Sequence, residues 1–303
     1  MHTPTASDGS GSSDAELEWP HWGGRVRIAG ASQKSPVIRL TYKEVTSGSV
    51  MVDLTFLRAR LQQDANGNRT PVTAQTYHQK WGSASRPVLC GCSDGKQYVI
   101  KGSHNGRQLI TDNMIGRLGQ LLGAPVGEIG FANIPQDLKN AQPEMADIGI
   151  GIGHATVWVP GCSEKQSIAN VALPENRPRF ALLLVLYSWT VSNDPQCIYA
   201  NAAPQLVYSV DHGHFLFAGN VRWTAATIQA IGAAVIDPFF AQVNLTCDEI
   251  RAARPALEAI TDADIGLVVA GPPDEWGINA TERQAFRDLF IRRRTELLAL
   301  LPH

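Results

Sequence analysis

The chain has 303 residues, 44% of them hydrophobic and 18% charged, which is enough apolar material for one large core or two medium ones and excludes a disordered protein. Its 26 Lys and Arg nearly balance its 28 Asp and Glu, for a net charge of -2, so there is no basic footprint for nucleic acid and none for an anionic membrane. The longest apolar run, "FALLLVLYSWTV" from Phe180 to Val191, is too short to span a bilayer and reads as a buried helix.

In chain order, residues 1–18 ("MHTPTASDGSGSSDAELE") have neither the basic start nor the apolar stretch of a signal or transit peptide, which predicts a disordered tail and a cytoplasmic protein. Residues 19–66 follow as an expected β-rich extension. "RVRIAG", "PVIRLTYKEV" and "SVMVDLTFL" carry many β-branched residues and are broken by Gly, Ser and Pro. The turn chemistry of "QQDANGNRTP" suggests a seam after them, and the extension is expected to pack on the sheet of the next lobe. In the lobe expected at 67–160, "RPVLCGC" and "KQYVIKG" flank "SDG" as a hairpin does. Ile110, Met114, Leu118, Leu121 and Leu122 then recur at helical spacing, stopped by Gly123 and Pro125. Strands return in "VGEIGFANI" and "HATVWVPG". Beyond, at 161–303, helices dominate, with capping boxes expected at Thr246/Glu249 and Asn279/Glu282 and one short strand, "QLVYSV". The five cysteines are odd in number and scattered, and read as reduced thiols. The fold class is therefore α+β in two unequal lobes, the first β-rich and the second mainly helical.

Four polar residues stand in or beside these apolar elements: Lys101 ending "YVIK", Asp112 early in the next helix, Asp194 after the buried helix, and Asp211 after "LVYSV". Each alone has a plain reading, such as a solvated strand end or a complement to a helix dipole. Their order is more telling. A kinase-type phosphotransferase needs a strand Lys for the phosphates, an acid on the next helix to orient it, an Asp at the substrate hydroxyl, an amide beside it for metal, and a final metal-binding Asp after a short strand.

Through "RPVLCGCSDGKQYVIKG", "LITDNMIGRLGQLLGAPVGEIG", "HATVWVPG", "LYSWTVSNDPQ" and "LVYSVDHGHF", roughly residues 70 to 225, the sequence resembles the HipA-like kinase domain, a bilobal fold related in shape to the phosphatidylinositol kinases. The resemblance implies ATP and Mg²⁺ as cofactors and a protein Ser/Thr hydroxyl as acceptor. It makes Lys101 the phosphate-binding lysine and Asp112 its helix partner, with Asn113 the alternative one register along. Asp194 becomes the catalytic aspartate and Asp211 a metal ligand. The sequence departs from the family's Asp-x-x-x-x-Asn loop: Tyr199 stands at the Asn position, so the second metal ligand is either Gln196 or Asn201. A pseudokinase that senses nucleotide is the alternative function. "HATVWVPG" is expected to join the lobes, with backbone groups of Val157, Trp158 and Val159 meeting the adenine. Lys101 and Asp112 are expected to form an ion pair. A protein substrate or regulatory protein is the partner expected; nucleic acid and membrane are not.

Other stretches carry milder readings. "HNGR" (104–107) reads as a surface loop, with a phosphate contact as the sharper alternative. "GIGIGHA" (149–155) lacks the frame of a dinucleotide fingerprint. His212 and His214 read as residues shaping a turn, with zinc ligation as the alternative. "RRR" at 292–294 reads as a solvated helix face or a docking site for an acidic partner.

Overall fold

The computed structural model describes residues 54–165 and 168–303. The expected tail at 1–18 and the expected strands up to residue 53 lie outside the described residues. The described part opens with helix α1 (Thr55–Ala65), and this corrects the strand reading for the end of "SVMVDLTFL". α1 carries the helix-favouring Leu, Arg, Ala and Gln, and packs against α7 (Asp262–Ala270).

Five strands then close into a barrel in the order β1–β2–β3–β5–β4. They are β1 (Val72–Lys80), β2 (Val88–Cys92), β3 (Gln97–Lys101), β4 (Ile129–Ile134) and β5 (Gly151–Val157). All neighbours run antiparallel except β1 and β4, which are parallel. The expected β2–β3 hairpin forms with Val88 opposite Ile100 and Gly91 opposite Gln97. Side chains from alternate positions fill the barrel: Val88, Cys90 and Cys92 from β2, Tyr98 and Ile100 from β3, and Ala155 from β5, with Met145 and Ile148 in the same buried cluster. Cys90 and Cys92 share that interior, where burial pushes both thiols up to about 12, so they are inert packing groups.

Between β3 and β4 lies α2 (Gln108–Leu122), whose apolar residues face the large core and whose chain is turned out by Gly123 at φ 70°. The short α3 (Gln136–Ala141) follows β4. After β5 the chain enters the helical lobe, where β6 (Cys162–Glu164), β7 (Gln196–Ala200) and β8 (Val207–Val210) make a separate three-stranded sheet. The apolar run 180–191 lies almost wholly in α4 (Arg177–Thr190), which is buried on nearly every face and packs on α2, α6 (Cys247–Glu258) and α8 (Ala280–Leu300). The short α5 (Ala225–Gln229) precedes α6. Both expected capping boxes are present, and a third, Thr261 with Asp264, opens α7. Among the described residues no helix is long and apolar enough to cross a membrane.

Candidate active site

The site is built where the barrel meets the helical lobe. Lys101, the last residue of β3, is 5% exposed. Its Nζ donates to Asp112 Oδ2 of α2 at 2.7 Å and to Asp211 Oδ1 just after β8. Burial alone would lower the ammonium pKa, but Asp112 and Asp211 outweigh it and push it up to about 12. For Asp112 burial works the other way, favouring the acid form; Lys101, then His154 and His212, overcome it and hold the carboxyl well below the usual carboxylate range. The pair expected from the sequence therefore exists, with Asp112 rather than Asn113 as the partner. α2 begins at Gln108, which places Asp112 one turn inside the helix and not at its dipole end.

Asp112 has further supports that the sequence did not announce. Its Oδ1 accepts the His212 backbone N–H at 3.0 Å, and His154 Nε2 on β5 stands 3.6 Å from Oδ2. His212 Nε2 meets Ser209 Oγ at 2.8 Å, and Ser209 Oγ meets the Tyr187 hydroxyl at 2.7 Å. A buried polar chain thus runs from α2 through the turn after β8 into α4. Burial pushes the His154 imidazole down to about 4 despite the attraction of Asp112, so His154 is neutral at pH 7. No spacing in the sequence paired these residues; only the fold brings them together.

Backbone strain concentrates around the same place. Val191, Asp194, Asp211, Leu216 and Ala218 all have positive φ, at 52°, 54°, 57°, 65° and 49°. Non-glycine residues adopt this region at a cost, and β-branched Val191 most of all, so a cluster of them marks a loop system held by its surroundings. Leu216 N–H donates to Val191 O at 3.0 Å, which ties the two loops together.

The β7–β8 register separates the two candidate amides. Gln196 pairs with Val210, next to Asp211, whereas Tyr199 pairs with Val207 toward the hairpin's far end. Asn201 lies beyond that end, roughly 16 Å of strand from Gln196, where it accepts a hydrogen bond from Ser163 Oγ at 2.8 Å. The structure therefore does not bring Asn201 to the site, and only Gln196 stands beside Asp211. Asp194 lies on the short loop before Gln196, with its side chain 60% exposed, near Gln196 Nε2 at 3.4 Å and His214 Nδ1 at 3.6 Å.

The residues set aside for the adenine lie where the barrel hands over to the helical lobe. Val157 ends β5, and its N–H is bonded to Glu128 O at 2.9 Å. The Trp158 N–H is bonded to Gln97 O at 2.8 Å. Trp158 also packs on Trp81 from the β1–β2 loop, ring centroids 5.9 Å apart. "HATVWVPG" does connect the lobes, but two of its three candidate N–H groups are used in the barrel.

The remaining motifs have structural roles. In "GIGIGHA", a Cβ on Gly153 would stand 2.5 Å from Lys101 O, and one on Gly149 would stand 2.5 Å from the His104 N. These glycines let β5 and its approach pass against the end of β3. His104 accepts the Gly149 N–H through Nδ1 at 3.0 Å, and Arg107 stacks on Trp223 at 3.5 Å and pairs with Glu282 at 2.5 Å. His212 and His214 point to different partners, and among the described residues no cluster of three or more His, Cys, Asp or Glu side chains is arranged for a metal. The arginines of "RRR" are tied into the helical lobe rather than forming a wholly solvated face, with the Arg292 side chain 40% and the Arg294 side chain 15% exposed. Arg293 is buried and donates to the Ser188, Trp189, Gly232 and Ala233 carbonyls, while Arg292 and Arg294 bind the Ile231 and Ile260 carbonyls.

A strand lysine is thus tied to a helix acid and to an acid after a β-hairpin, in the chain order expected from the sequence. Residues 76–216 match the model of the HipA-like kinase family. Among solved structures, a Helicobacter pylori proinflammatory kinase, CtkA, shares 10% identity over 77% of this chain and 97% of its own, with a TM-score of 0.50. The Golgi casein kinase shares 10% identity over 84% of this chain and 78% of its own, with a TM-score of 0.46. The same enzyme with Mn/ADP bound gives 10% identity, 83% and 78% coverage, and 0.42. No curated relative matches the sequence. The fold is the bilobal kinase-like fold that the HipA-like motifs implied.

Proposed function

We propose that the protein is an ATP- and Mg²⁺-dependent phosphotransferase acting on a protein Ser/Thr hydroxyl. The observation that carries this reading is Lys101, which joins Asp112 of α2 and Asp211 of the β8 turn at one buried point. Those groups come from three separate elements in the order that phosphoryl transfer requires. Lys101, held cationic and aimed by Asp112, would bind the phosphates. Asp211 and Gln196 would hold a Mg²⁺ ion: both offer hard oxygen donors, the pairing of Gln196 with Val210 supports their joint use, and such an ion takes few protein ligands when phosphates and water complete its shell. When bound, the metal supplies charge neutralisation on the phosphate oxygens. Asp194, exposed in front of Gln196, would orient the acceptor hydroxyl and take its proton. At the connector, the Val159 backbone is the best placed to meet a purine edge, because the Val157 and Trp158 N–H groups are already bonded.

One observation favours a nucleotide-sensing pseudokinase instead. Asp194 and Gln196 are only two residues apart, which leaves less loop between base and metal amide than the five-residue spacing of active kinases. ATP affinity and phosphate transfer separate the readings. For a kinase, Asp211→Asn abolishes transfer and weakens Mg²⁺-dependent ATP binding, whereas Asp194→Asn slows transfer by at least about 100-fold and leaves binding intact. A wild-type protein that binds ATP and transfers no phosphate is a sensor. Normal Mg·ATP binding by Asp211→Asn argues against both readings.

A further inference from the structure

We propose that His214 is the positioning residue for Asp194; the inference rests on the phosphotransferase reading above. Asp194 stands on a strained, exposed loop, with only two side chains beside it in the described structure: Gln196 Nε2 at 3.4 Å and His214 Nδ1 at 3.6 Å. If Gln196 turns its amide oxygen to a metal beside Asp211, His214 alone is left to orient the Asp194 carboxylate.

His214 is built for that task. It closes the short 3₁₀ turn His212–His214, which starts directly after Asp211 and is fixed at its other end by the His212 N–H on Asp112. Its ring lies against Gly219: a Cβ there would stand 3.2 Å from His214 Cε1 and Nε2, and the Gly219 φ of 78° suits glycine. Gly219 is itself held to α2, its carbonyl accepting from Gln108 Nε2 at 3.1 Å. The bond from Leu216 N–H to Val191 O fixes the two loops that carry His214 and Asp194 against each other. One continuous path therefore connects α2, Gly219, the imidazole and the carboxylate at the acceptor side. The lysine centre and the acceptor aspartate share a single turn, and α2 registers both.

The test is a double-mutant cycle with γ-labelled ATP and a peptide library presenting Ser and Thr. It compares wild type, His214→Ala, Asp194→Asn and the double variant, with Mg·ATP affinity and thermal midpoint recorded for each. His214→Ala is expected to lower kcat roughly 10- to 100-fold while the KM for ATP, Mg·ATP affinity and midpoint stay at wild-type values. In the Asp194→Asn background the same change should cost less than about 2-fold, because there is no carboxylate left to aim. His214→Gln, which keeps a donor, should recover most of the loss. Gly219→Ala, which displaces the ring without altering it, should reproduce it. Equal losses in the two backgrounds, a His214→Ala variant with wild-type kcat, or a loss confined to ATP affinity or thermal midpoint would each overturn the proposal while leaving the kinase reading intact. A wild type that transfers no phosphate overturns both together.

Discussion

Lys101 and His154 sit side by side in the barrel–lobe junction, and both can be read through what burial does to charge. Removing the ammonium in Lys101→Met leaves Asp112 4% exposed at its side chain with no strong cation. Stranding a buried charge in this way costs about 3 kcal/mol or more, so the urea midpoint at pH 7 should fall clearly. Lys101→Met/Asp112→Asn should recover much of the loss; a Lys101→Met protein as stable as wild type would contradict the burial argument. His154 gives a pH signature. Its pKa drops from 6.5 to about 4 on folding, so between those values the unfolded chain holds more protons than the folded one. Its contribution is therefore complete above pH 6.5 and fades as pH falls toward 4, amounting to roughly 3 kcal/mol in all. Urea titrations between pH 7 and 4 should show a shallower loss for His154→Leu than for wild type, and parallel curves would remove His154 as the cause.

At the scale of elements, legibility followed the apolar pattern. β2, β3, α2 and α4 declare themselves because each buries an apolar series, and Lys101 at the end of β3 and Asp112 one turn inside α2 stand out against it. β1 fully buries only Ala74; Val72 and Tyr77 are half-buried against the barrel interior, and the Thr, Gln, His and Lys between them blur the alternation that would mark a strand. β7 is short and follows the polar loop closely enough to be read as part of it, although Cys197 and Tyr199 alternate inward. The choice between Gln196 and Asn201, opened by Tyr199 at the Asn position of the family's loop, is not legible in either segment alone, because the register that divides them belongs to the β7–β8 pairing. α1 hid its nature differently. Its fixed contacts are charged, through Arg58, Arg60 and Asp64, and only Leu61 of its apolar side chains is fully buried. The glycines of 149–153 were visible as a motif, but their reason is a close approach to β3. Gly153→Ala would put a methyl group 2.5 Å from Lys101 O, and forcing β5 away from β3 should cost about 1–3 kcal/mol. On the proposed phosphotransferase reading it should also weaken ATP binding, by moving Lys101. Thermal unfolding with ATP titration checks both, and an unchanged midpoint would show that the barrel yields freely at this edge.

For the whole molecule, α1 decides whether the kinase-like part stands without the chain before it. α1 packs on α7, where Arg58 pairs with Asp264 at 2.8 Å, and reaches the barrel, where Arg60 pairs with Glu128 at 2.9 Å. Asp64 completes the bridge by binding Arg117 of α2 at 2.8 Å, both side chains at most 5% exposed. Just beyond the helix, Arg69 donates to the Gly271 and Pro272 carbonyls after α7. Helix α1 therefore holds the helical lobe, the barrel and the helix carrying Asp112 at once, and the seam read at residues 62–71 is not a boundary of independent parts. A chain starting at residue 70 would strand Arg117, buried and without its carboxylate, and expose the α7 surface that α1 covers. The Arg117 term alone is worth about 3–5 kcal/mol, so this truncation should unfold at distinctly lower urea than a chain starting at residue 54. Asp64→Leu/Arg117→Met in the longer chain should be close to neutral, since two well-packed apolar groups replace a buried pair without leaving a lone charge. Equal stability of the two truncations would make α1 an appendage and restore the seam as a domain boundary.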